Sequence, residues 1–178
     1  MKTAALPVMC RLPVIILTLA LGSAAAHAGQ SGLLTVDRAV LTDTVDALSH
    51  NYLHPLGSPF ARKRASLWME VRGTQQLLDQ IKSGQGKFTV HHVWRKYVFT
   101  EVETRLDQPL VIGRAEDLGK LSEQVAATGY FTWRTWSDKL NLSPGSWRVD
   151  LEFDGHEPVM CQENNAPSHP CSYPFEVE

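Results

Sequence analysis

The sequence is poor in cysteine, has no surplus of basic residues and contains no apolar run of membrane-spanning length. Only 3 of its 178 residues are Cys, which excludes a miniature scaffold held together by many disulfides. Lys and Arg number 17 against 19 Asp and Glu, for a formal net charge of −2. That balance lacks the cationic excess that a nucleic-acid partner requires. With 12 Gly and 10 Pro, the chain is neither collagen-like nor of low complexity. No HxH, HExxH or CxxC spacing is present, so neither a metal nor another cofactor is expected. A Gly-x-Ser-x-Gly nucleophile setting is also missing. What is present, 43% hydrophobic and 20% charged residues, suits one ordinary folded domain.

Residues 1–28 read as a secretory signal. Lys2 and Arg11 precede an uncharged apolar run over 12–22, and Ala26-His27-Ala28 supplies a small-residue cleavage pattern. The uncharged stretch over 12–26 is shorter than the roughly 20 apolar residues of a membrane span, so contact with a membrane is expected only if this segment is kept as an anchor. Removing it leaves 150 residues as a single domain, 29–178. Lys2, Arg11 and Cys10 leave with it, so the net charge becomes −4 and two cysteines remain. In an exported chain Cys161 and Cys171 are expected to form a disulfide. The alternative, a metal held by Cys161, His169 and Cys171, lacks a fourth ligand.

The dominant period of the mature chain is two. In 146–154, Trp147, Val149, Leu151 and Phe153 alternate with Arg148, Asp150, Glu152 and Asp154, the pattern of a strand with one face in a core and one in water. Pro144-Gly145 before it and Asp154-Gly155 after it are turn pairs, the second followed by a hairpin-like return through 157–160. Further strands are expected over 33–41, 67–72, 109–112, 130–136 and 173–177. The stretch 88–102 is mixed on both faces and hides a bulge or a break between two strands. Residues 74–82 and 114–128 have helical spacing. About eight short strands with one or two helical insertions predict an all-β fold, an immunoglobulin-like antiparallel β-sandwich.

The candidate binding residues are aromatic and basic. His92 and Trp94 share one parity on their strand, and Arg134 and Trp136 share one on another. If those strands were neighbours, two indoles and a guanidinium would form a shallow platform suited to stacking sugars or holding a carboxylate. The opposing possibility is that the tryptophans build the core. His91 and His92 point to opposite faces of a strand and cannot chelate one metal together. The acids are scattered: Glu101, Glu103, Asp150, Glu152 and Asp154 look like solvated strand faces, although a glycosidase pair can assemble from different strands. No residue set amounts to a catalytic signature.

Six blocks in order resemble the bacterial family known as domain of unknown function 2914: Arg38-Ala39-Val40-Leu41-Thr42, His92-Val93-Trp94, Trp133-Arg134-Thr135-Trp136-Ser137, Gly145-Ser146-Trp147-Arg148-Val149, Asp154-Gly155 and Phe175-Glu176-Val177. They cover nearly the whole mature chain. Two segments stand outside the pattern, the extra length at 114–128 and the loop between Cys161 and Cys171. The resemblance implies a small β domain of the cell envelope and supplies no reaction. The expectation is therefore a periplasmic or secreted, non-catalytic module that binds an envelope glycan or a protein partner through His92, Trp94, Arg134 and Trp136. The alternatives are a polysaccharide hydrolase with a carboxylate pair and a purely structural interaction domain.

Overall fold

A computed structural model describes residues 32–84, 88–161 and 168–178; the expected signal segment lies outside them. The fold is an all-β sandwich of two sheets with a small hairpin laid outside. Its elements in chain order are β1 (Leu34–Thr42), β2 (Val45–Asp46), β3 (Asn51–Tyr52), β4 (Arg64–Thr74), α1 (Gln75–Lys82), β5 (Phe88–Val98), β6 (Glu101–Ile112), α2 (Leu118–Thr128), β7 (Tyr130–Leu140), β8 (Gly145–Phe153), β9 (Met160–Cys161), β10 (His169–Pro170) and β11 (Ser172–Val177). One sheet has the order β10-β9-β1-β4-β7 and the other β11-β8-β5-β6. Among the described residues these strands pair antiparallel except at the single β1–β9 contact of Val36 and Cys161, and Phe60 makes an isolated parallel bridge to Val177 of β11.

The expected alternation produces the core. Trp147, Val149, Leu151 and Phe153 of β8 are at most 3% exposed. From the facing sheet Leu67, Met69 and Val71 of β4 meet them, and all three are fully enclosed. The mixed stretch resolves into two strands, β5 and β6, joined at Phe99-Thr100, with a register shift beside Tyr97. β6 begins at Glu101, eight residues before the apolar end at 109–112 that the sequence suggests. It is an edge strand and buries little, so its sequence carries almost no alternation.

Helices make two of the crossings between sheets. Thr74 caps α1 by accepting the Leu77 N–H at 3.3 Å. α2 ends at Gly129, whose left-handed φ of 84° closes the helix with a bond to the Val125 carbonyl. Leu77 and Leu78 of α1, with Leu121 and Val125 of α2, seal one end of the sandwich. Gly73 in β4 lies opposite Phe131 in β7, whose ring occupies the space a Cβ would need. On the side of the sandwich away from β7 a Cys161–Cys171 disulfide closes a ten-residue separation and ties β9 to the start of β11. No helix among the described residues is long and apolar enough to cross a membrane.

Candidate functional site

The four expected binding residues do not meet. β5 is an inner strand of its sheet, and its even-numbered residues face the opposite sheet, so His92 and Trp94 are fully buried. β7 is an edge strand of the other sheet, and its even-numbered residues face outward. Arg134 is exposed and Trp136 half-buried there. The platform fails because β5 and β7 belong to different layers and these residues lie on opposite sides of β7's layer.

His92 and Trp94 instead make a polar cluster inside the core. Trp94 Nε1 donates to Ser137 Oγ at 2.9 Å, and His92 Nδ1 lies 2.8 Å from the same oxygen. His92 Nε2 faces Met69 Sδ at 3.2 Å. Burial pushes the His92 pKa down to about 3, so the ring is neutral. One proton arrangement satisfies every group: Ser137 accepts from Trp94 and donates to His92 Nδ1, and Nε2–H points at the sulfur. A Ser–His pair at this distance has the outline of a nucleophile and its base. Here no carboxylate orients the imidazole, the ring is a very weak base and Ser137 is only 4% exposed. The cluster pins the two sheets together.

His91 is clamped between two aspartates. On the outer face of the second sheet, Asp107 Oδ1 lies 2.7 Å from its Nδ1 and Asp154 Oδ1 lies 2.9 Å from its Nε2. Partial burial opposes the imidazolium, but the hydrogen bonds to Asp154 and Asp107 outweigh it and raise the pKa. Beside this clamp Arg95 bonds both Asp150 and Glu152, Arg148 reaches Asp150 at 3.0 Å and His156 reaches Glu152 at 3.0 Å. Burial disfavours the Glu152 carboxylate, yet the bonds from Arg95 and His156 lower its pKa on balance. A glycosidase acid must hold its proton near neutrality, and Glu152 is held in the opposite state. These charges are spent on one another, and Val93 is fully buried among them.

The concave, unsatisfied region lies along β7. Two adjoining cavities of about 310 and 350 Å³ share His50, Asp117, Trp133 and Arg134. α2 forms one wall through Lys120, Leu121 and Gln124; Pro109, Leu110 and Val111 of β6 form the other, with Arg114 beyond them. His50 comes from the β2–β3 turn, where the Leu48 N–H and Ser49 hydroxyl bond the Asp46 carboxylate and lower its pKa. Its carbonyl accepts from Trp68 Nε1 at 2.7 Å, and its ring meets Trp136 edge-on. Arg134 is held by Glu70 at 2.6 Å and Asn51 at 2.9 Å. Arg114 and Lys120 have no ion-pair partner among the described residues, and Asp117 is the one carboxylate lining either cavity. Trp133 Nε1 is buried with no hydrogen-bond partner, a condition that costs about 1–3 kcal/mol.

Reasoning from sequence passes over Trp133, His50, Arg114 and Lys120. Trp133 sits in a noted motif, but with the parity opposite to Arg134. Arg114 and Lys120 belong to the extra segment 114–128, whose position beside β7 is a tertiary fact. The described residues contain no cluster of His, Cys, Asp and Glu able to hold a metal ion. Compared with family models, curated proteins and solved structures, the chain matches none.

Proposed function

We propose that the protein is an exported, non-catalytic binding module of the cell envelope that holds a glycan or a protein partner in the groove bounded by β7, α2 and β6. The supporting observation is that indoles and uncommitted cations gather in one concavity, while the charges around Val93 on the opposite sheet are mutually paired. Trp133 and Trp136 provide stacking surface, and Arg114 and Lys120 can meet an anionic group without first breaking an ion pair. The disulfide is in keeping with an oxidising compartment, and the resemblance noted in the sequence points to the envelope. The segment outside that resemblance, 114–128, supplies one wall of the groove.

The test is chemical-shift mapping of the mature chain against carboxylated oligosaccharides and, separately, short acidic peptides. The expected result is perturbation confined to Trp133, Arg134, Trp136 and the first turns of α2, abolished in an Arg114→Ala/Lys120→Ala double variant. Shifts located elsewhere, or none with either ligand class, would overturn the proposal.

A further inference from the structure

The backbone of β7 carries a second kind of vacancy. Three bonds identify which of its groups face away from β4: Thr132 N–H donates to Gln124 Oε1, the Tyr130 carbonyl accepts from Thr128 Oγ1, and the Asp138 carbonyl accepts from Gln108 Nε2. All three involve even-numbered residues, as antiparallel alternation requires. The N–H and C=O groups of Arg134 and Trp136 therefore point to the same open side, and no described residue bonds them there. Proteins normally blunt such edges. Here α2 blunts one end of the edge and β6 the other, and the stretch between is left bare.

We propose that the open middle of β7 is a strand-addition site for an extended, acid-bearing segment of a partner protein. The proposal rests on the groove-binding reading above and selects the protein partner over the glycan. From Thr132 to Asp138 the window is about 20 Å long at the usual rise per residue, enough for a short strand. Alternate side chains of that strand would lie against Trp133 and Leu110, which favours apolar residues there. An acidic residue between them would meet Arg114 or Lys120. A second copy of this chain is the poorer occupant, since α2 and β6 flank the window and two copies would bring these cations together.

The experiment selects a random-sequence peptide library on the mature protein, then follows amide hydrogen exchange with and without the best peptide. Enriched peptides should share an acid among alternating apolar residues. The Arg134 and Trp136 amides should exchange quickly in the free protein and slowly in the complex, with Thr135, inside the β4–β7 ladder, slow in both. The Arg114→Ala/Lys120→Ala variant should weaken binding by at least about tenfold, some 1.4 kcal/mol. Absence of enrichment, or binding without protection at those two amides, would refute strand addition. Protection without peptide, rising with protein concentration alongside a doubled mass, would assign the edge to a second copy instead. If carboxylated oligosaccharides perturb the groove while no peptide does, strand addition fails and the binding module stands; if neither binds, both fail.

Discussion

β5 and β7 are built from similar residues and do opposite things. β5 carries His92, Trp94 and Arg95; β7 carries Trp133, Arg134, Trp136 and Ser137. β5 is bonded on both sides, by β6 and β8. Its inward Trp and His are sealed, and its outward Arg95 is enclosed between Asp150 and Glu152. β7 is bonded on one side only; its outward-facing Arg134 and Trp136 reach solvent, and its Trp133 is left with an unsatisfied N–H. Side-chain chemistry does not separate a structural strand from a candidate binding strand here; the number of neighbours does.

The largest test of that contrast is a pair of truncations. Trp94→Ala should destabilise the fold by about 3–5 kcal/mol in urea unfolding, as large core aromatics do when removed. Trp136→Ala, half-buried on the outer face, should cost markedly less and act mainly on ligand binding. Equal losses would erase the distinction between the strands. Next in size is the staple between Cys161 and Cys171. Replacing both with Ser should lower stability by about 2.5–3 kcal/mol for a loop of this length and leave Trp133 fluorescence unchanged, since β1 and β4 stand between the disulfide's strand and β7.

Ser137→Ala sharpens the comparison from inside, because Ser137 belongs to β7 but serves Trp94 and His92 of β5. The variant strands one buried donor and one acceptor, at a cost of about 1–3 kcal/mol, measurable as a fall in the thermal midpoint. An unchanged midpoint would mean the trio is not what joins the sheets. The smallest effect concerns the paired face. Because the His91 pKa is raised in the folded state, its contribution is full below the ordinary value of 6.5 and is lost as pH rises through the folded value. Glu152, with its pKa lowered, contributes above its ordinary 4.5 and loses that contribution as pH falls through the folded value. Stability measured against pH should fall as pH rises above 6.5 in the parent and not in His91→Gln. A parent curve that overlays the variant's would remove the clamp.

Much of the layer structure was legible in residue order. The alternation in β8 announces its buried face, the two helical insertions lie close to where spacing places them, and the 88–102 stretch does contain a break. β6 was legible only at its apolar end, since a strand buried on neither face carries no period to read. The candidate site was legible in part. The motif at 133–137 marks the right strand, but the parity that groups Arg134 with Trp136 conceals Trp133, and no local signal links that strand to Arg114, Lys120 or His50.

The sequence by itself determined the period of two, hence which side chains face inward, and supplied the two cysteines that form the disulfide. Those are properties of neighbouring residues, and alternation along an extended backbone is enough to set them. Tertiary structure alone decided which strands stand at an edge, that His92 and Trp94 lie across a layer from Arg134 and Trp136, and that α2 and β6 leave the middle of β7 uncovered. Strand order in a sheet depends on contacts between segments far apart in the chain, and no residue carries that information on its own.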